Sequence, residues 1–185
     1  MSAIGVTGIA RSARLWVCLL CLSPWLLACA SDSGPKKIPV EVPFALDKGG
    51  EVVELEVLIP ERQTYTFGIG FGVNRKIPGD SKRVLELTGD ASWNERTRTY
   101  GNLGIPLKVR LEIESVKPEE KPFRFDQEVS EIPLYAGTYE AFQKMIANVL
   151  LEAGTYRVRV TNQLAARPTQ GTPINFHIRR AWFGK

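Results

Sequence analysis

Leu107-Lys108-Val109-Arg110-Leu111-Glu112-Ile113-Glu114 alternates an aliphatic side chain with a charged one at every step. That period of two belongs to a strand, because successive Cβ atoms of a pleated backbone point to opposite faces. One face is then free to enter a core while the other stays in water.

The same pattern recurs on both sides of this stretch. Phe123, Phe125, Gln127 and Val129 supply a hairpin partner across the proline-bounded turn at 118–122. Upstream, Val53, Leu55, Val57 and Ile59 alternate, and Pro60-Glu61 ends the run. Tyr65, Phe67, Ile69, Phe71 and Val73 follow, with Thr64, Thr66, Gly68, Gly70 and Gly72 between them. Ile174, Phe176 and Ile178 give a last strand after Gly171-Thr-Pro173.

Residues 141–151 fit two periods, since Phe142, Met145, Ile146, Val149 and Leu150 also suit a helix. A strand is preferred, paired with Tyr156, Val158 and Val160 across a glycine turn at Gly154. Gly154-Thr-Tyr156 ahead of an alternating run is the trace of a tyrosine corner, so Gly154 and Tyr156 are read as structural residues. A short helix is expected at 82–87, with Ser81 as its N-cap. Many short one-sided strands separated by Gly- and Pro-containing turns predict an all-β, antiparallel β-sandwich with one long loop.

The N-terminus reads differently. Arg11 and Arg14 precede an apolar run from Leu15 to Leu27, broken by Ser23-Pro24, and no acidic residue occurs before Asp32. A spanning helix needs about 20 uninterrupted apolar residues, whereas a secretory signal needs fewer. Leu26-Leu27-Ala28-Cys29 has the form of a lipobox, with a small residue before a cysteine whose thiol takes the lipid. Cleavage between Ala28 and Cys29, and lipidation of Cys29, are therefore expected; ordinary cleavage after Ala28 or Ala30 is the alternative. Two acyl chains suffice for stable anchoring.

This reading divides the chain into a signal at 1–28, a polar tether at 29–38 and a single sandwich domain at 39–185. Cys18 and Cys21 leave with the signal, so the mature domain holds no disulfide. Of 24 basic side chains, 22 remain against 20 acidic ones, a nearly neutral balance. With an envelope address, facing the periplasm and favouring the outer membrane because Asp does not follow Cys29, nucleic acid is not an expected partner.

Val42-Pro-Phe44, Tyr65-Thr-Phe67, Leu87-Thr-Gly-Asp90, Gly104-Ile-Pro-Leu107, Gly154-Thr-Tyr156 and Pro173-Ile-Asn-Phe176 occur in an order and spacing that carry a resemblance. Together, over roughly Val40 to Ile178, they resemble a proteobacterial domain of unknown function, family 5625. The resemblance implies a sandwich-like domain and an envelope location, and brings no catalytic residues.

Chemistry is sparse. His177, the one histidine, sits inside the last strand and is expected to be exposed there. No nucleophile elbow accompanies it, so no catalytic residue is assigned. One histidine and no spaced Asp/Asn loop give no metal site and no cofactor. Gly68-Ile-Gly-Phe-Gly72 lacks the helix and Lys-Ser/Thr of a phosphate loop and reads as a glycine face that lets another segment approach.

The long connection from Asn74 to Asn102 carries Arg75, Lys76, Lys82 and Arg83, then Trp93, Arg96, Arg98 and Tyr100. Trp, Tyr and Arg dominate binding hot spots, which makes the last four the candidate partner-binding residues. Alternatively, Trp93 and Tyr100 cap an open end of the sandwich. The sequence thus points to a non-enzymatic envelope lipoprotein with two attachments: the membrane through Cys29, and a protein partner, as in an immunity protein against a secreted toxin. A glycan- or lipid-binding module is the alternative, and a carboxylate-only hydrolase a distant third.

Overall fold

The computed structural model describes residues 34–90, 92–119, 121–166 and 171–181. Ala28, Cys29 and the rest of the expected signal lie outside the described residues, as does the side chain of Trp93.

The described chain forms β1 (Lys36–Lys37), β2 (Val40–Pro43), β3 (Val52–Ile59), β4 (Gln63–Gly72) and α1 (Asp80–Thr88). There follow β5 (Trp93–Asn94), β6 (Thr99–Tyr100), β7 (Lys108–Ser115), β8 (Arg124–Ser130), β9 (Leu134–Gly137), β10 (Ala141–Leu151), β11 (Gly154–Asn162) and β12 (Ile174–Arg180). One sheet runs β1-β3-β11-β7-β8, the other β2-β12-β4-β10-β9, and β5-β6 forms a separate hairpin. Every pairing is antiparallel except β1 with β3. The molecule is an all-β sandwich with one short helix.

Alternation decides the layering. Val109, Leu111 and Ile113 of β7, with Val158 and Val160 of β11, turn inward from the first sheet; Tyr65, Phe67, Ile69 and Phe71 of β4, with Phe176 and Ile178 of β12, meet them from the second. Each such side chain contributes about 1.5–3 kcal/mol on leaving water. The opposite face of the first sheet is a grid of charge. Arg110 forks onto Asp126 at 2.8 and 2.6 Å, and Arg157 reaches Glu54, Glu56 and Glu114 at 3.1–3.8 Å. These pairs are solvent-exposed, so they fix register more than they add stability.

The structure departs from the sequence reading in several places. β10 and β11 do not pair with each other: β10 lies between β4 and β9, and β11 between β3 and β7. The chain changes sheets at Glu152-Ala153, where the Tyr156 hydroxyl donates to Glu152 O at 3.1 Å. A second corner, unseen in the sequence, puts the Tyr65 hydroxyl 3.0 Å from Glu61 O where β3 crosses to β4. Ser81 is not the N-cap of α1. Gly79 occupies that position at φ 80°, and Asp80 accepts from Asn74 N–H at 2.7 Å in the first turn. Within the segment expected as tether, Lys36 and Lys37 already pair with Val57 and Leu58. His177 is 1 % exposed rather than open to solvent.

Burial of His177 follows from the glycines. It pairs with Gly68 on the outer face of the second sheet, and a β-carbon on Gly68 would stand 2.7 Å from His177 Nε2 and 2.6 Å from Lys144 O. The imidazole thus lies in the space that a side chain on Gly68 would occupy, and the glycine face is filled by this strand neighbour.

Register also fixes the poles of the domain. Gly34–Lys37 enters beside the last residues of β3, at the end that holds both tyrosine corners. From there β4 runs ten residues, roughly 30 Å, to Gly72. At that far pole gather the described connections 44–51, 73–90, 92–107, 131–133, 138–140 and 163–166.

Candidate functional site

The connection 74–102 is not a bare loop. α1 packs Val84 into the core, and Arg83 is spent on structure, pairing with Asp80 at 2.7 Å and donating to Thr172 Oγ1 at 2.8 Å. The Asn74 N–H first, and then Arg83, hold the Asp80 carboxyl below the usual carboxylate range. Asp80 therefore ties the first turn of α1 to the preceding connection at Asn74, and no side chain caps the helix amides among the described residues.

Beyond α1 the chain makes a small hairpin. Trp93 pairs with Tyr100 and Asn94 with Thr99. Asn94 Oδ1 accepts from the N–H groups of Arg96 at 3.0 Å and Thr97 at 3.2 Å, an Asx turn that sets the tip. Arg98 takes φ 54°, a left-handed conformation that few non-glycine residues adopt. Three of the four candidate residues, Arg96, Arg98 and Tyr100, have exposed side chains, with Tyr100 at 40 %. The hairpin brings Trp93 and Tyr100 to one register position and places both arginines in the tip between them.

The root of this hairpin is unusually constrained. Gly89 and Gly104 sit back to back at φ 76° and 69°. A β-carbon on Gly104 would come within 2.2 Å of Leu87 O, and one on Gly89 within 2.1 Å of Asn102 O. Asp90 N–H donates to Asn102 O, and Ile105 N–H to Leu87 O, both at 2.8 Å. Beneath them lies Lys144, with no exposed surface, donating from Nζ to Leu103 O at 2.8 Å and Ile132 O at 2.5 Å. Burial pushes its ammonium down to about 8. One buried cation thus ties the hairpin root to the β8–β9 connection.

Lys144 was not singled out from sequence. It pairs with Ile69 and so faces inward, but a bulge between Met145 and Ala147 breaks the alternation that would have revealed it. A lysine two residues after Phe142 in a strand was the available signal.

A second group at the loop pole also escaped the sequence reading. Arg75 donates from Nε to Tyr139 O at 3.4 Å, pairs with Glu140 at 3.5 Å, and holds its guanidinium 5.9 Å from the Tyr139 ring centroid. Tyr139 is 88 % exposed. Among the described residues no cluster of His, Cys, Asp and Glu could hold a metal ion, and no helix is long and apolar enough to cross a membrane. Among the described residues His177 Nε2 finds no hydrogen-bond partner, and burial, then Arg179, pushes its pKa down to about 4.

A family model described as a domain of unknown function (DUF5625) matches residues 41–180. This chain belongs to that family. The match begins in β2 and ends with β12, so it takes in nearly the whole sandwich, hairpin included. Among solved structures, the crystal structure of GEBA250068378 from Sulfurospirillum deleyianum is similar, with a TM-score of 0.62 and 22% identity over 81% of this chain and 100% of that one. At that identity the likeness is one of fold. No curated protein matches the chain.

Proposed function

We propose that this DUF5625 protein is a lipid-anchored, periplasm-facing envelope protein that binds a protein partner through its loop pole and performs no catalysis of its own. Membrane attachment rests on Leu26-Leu27-Ala28-Cys29, with Cys29 as the acylated residue. The observation that carries the binding reading is the fixed hairpin at 93–100. Its tip is exposed, yet its root is locked by two opposed glycines and by Lys144. Rigid exposed loops lose little entropy on association, which favours recognition. The Arg96, Arg98 and Tyr100 side chains on it are of hot-spot type.

The position of the hairpin supports the same reading. The hairpin stands among the other described connections at the loop pole, where several exposed segments can meet one partner. A toxin neutralised in the periplasm, as by a lipoprotein immunity protein, is a partner of this kind. Two measurements test the proposal. Palmitate labelling is expected in the wild type and absent in Cys29→Ser. Affinity purification of the full-length protein from envelope extract is expected to recover a protein that Tyr100→Ala and Arg96→Ala lose. Identical recoveries from wild type and both variants would refute binding through the hairpin.

A further inference from the structure

The cleft between the β4–α1 connection and the β9–β10 turn has a volume of about 600 Å³ and is built from residues some sixty positions apart. Both of its walls are fixed. On one, Asn74 Oδ1 accepts from Lys76 N–H at 3.0 Å, and Ile77 N–H donates to Asn74 O at 3.0 Å. On the other, Thr138 Oγ1 accepts from the N–H groups of Glu140 and Ala141 at 3.2 and 3.1 Å. Val73 N–H joins the two by donating to Glu140 O at 2.8 Å.

Two apolar side chains stand out of these walls, Ile77 at 54 % exposure and Tyr139 at 88 %. Such exposure of a single residue is common, but here Arg75 lies beside the tyrosine, with Nε 3.4 Å from Tyr139 O and the guanidinium 5.9 Å from its ring, and reaches the Glu140 carboxylate at 3.5 Å. An exposed aromatic with an arginine beside it has the residue chemistry of an interface anchor. The surrounding charge has a sign. On the walls Arg75 and Lys76 are exposed against Glu140, which pairs with Arg75, while Asp80 is buried against Arg83.

We infer that this cleft docks an acidic segment of the protein partner, seating one apolar side chain of that segment between Ile77 and Tyr139. The inference rests on the protein-binding reading and adds a second contact to the hairpin. Charge selects carboxylates. Carbohydrate is disfavoured because the guanidinium already lies over the Tyr139 ring.

The test uses a random dodecapeptide library displayed on phage, selected against the immobilised full-length protein. Enriched peptides are expected to combine two or more Asp or Glu with one Leu, Ile or Phe. By fluorescence anisotropy they should lose at least tenfold in affinity on Tyr139→Ala and on Arg75→Gln, and weaken with added salt. Arg96→Gln, on the hairpin, should bind them as the wild type does. Tyr139 is nearly all in water, so its variant is expected to keep the wild-type melting temperature. Failure to enrich peptides, enrichment of basic or neutral ones, or equal binding by Tyr139→Ala would each overturn the inference. Tyr139-dependent binding to phosphatidylglycerol vesicles or peptidoglycan fragments, in place of acidic peptides, would overturn it as well. Should the affinity purification recover a partner that depends on Tyr100 and Arg96 but binds Tyr139→Ala normally, this cleft falls and the protein-binding reading stands.

Discussion

Replacing Lys144 by Met keeps most of the volume of a buried side chain and removes its charge and its donors. Two effects then oppose each other. Leu103 O and Ile132 O lose the Nζ donor that reaches them at 2.8 and 2.5 Å, and a stranded buried carbonyl costs about 1–3 kcal/mol. Leu103 O is only partly buried and recovers water, so Ile132 O bears most of this loss. Against it stands the cost of holding an ammonium out of water, which lowers its pKa from 10.5 to about 8. Between those values the unfolded chain keeps a proton that the folded chain has released, so the lysine makes stability rise with pH. Relative to pH 7 the gain is about 1 kcal/mol by pH 9 and about 2 kcal/mol by pH 10. Near pH 7 the two effects nearly cancel in Lys144→Met. The difference between wild type and variant should then grow in favour of the wild type as pH rises. Urea midpoints at pH 7, 8, 9 and 10 for both proteins measure it. Amide exchange in Lys144→Met should also quicken across Asp90 and Ile105, whose N–H bonds close the hairpin root. A difference that stays constant within about 0.5 kcal/mol from pH 7 to 10 would refute the reasoning, because a buried ammonium must respond over that range.

His177 works in the opposite pH range. Its folded pKa is about 4, below the ordinary 6.5, so protons bind the unfolded state preferentially and stability falls as pH drops through that interval. A loss of about 2 kcal/mol between pH 7 and pH 5 is expected in denaturant titrations of the wild type, and His177→Gln should flatten it. Gly68→Ala forces a β-carbon against Lys144 O and His177 Nε2, and should cost about 1–3 kcal/mol in a thermal or urea melt. A melt of Gly68→Ala equal to wild type would mean that β10 and β12 can separate freely from β4.

Most of the layering was open to a reader of the sequence. Leu107 to Glu114, Val53 to Ile59 and Tyr65 to Val73 each signal one buried face, and each forms a strand. What alternation does not encode is which strands share a sheet. Hence β10 and β11, adjacent in the chain, were joined in one hairpin, although a tyrosine corner carries the chain between sheets. The helix-like spacing of residues 141–151 has a physical cause, since one bulged residue shifts Met145 and Ile146 out of the two-residue period. At the loop pole, composition pointed to the aromatic and arginine residues of the hairpin. The Arg75–Tyr139 pair was invisible because its members are brought together by strand pairing rather than by nearness in sequence.

One consequence of the two sheets concerns their margins. Among the described residues the outermost strands are β1, β8, β2 and β9, and three of these have four residues or fewer. These short strands offer few backbone groups themselves, but β9 covers only residues 142–144 of β10 and β1 only residues 57–58 of β3, so the edge beyond each stays open. β8 is longer, at seven residues, but Arg124, Asp126 and Glu128 line its solvent face. Asp126 and Glu128 are already engaged with Arg110 and Lys108 of the neighbouring strand. A visitor lying alongside would have to reorder that charge before gaining a ladder of hydrogen bonds. Edge-to-edge pairing is therefore discouraged at β8, whereas the uncovered stretches of β10 and β3 are the margins where a further strand could add.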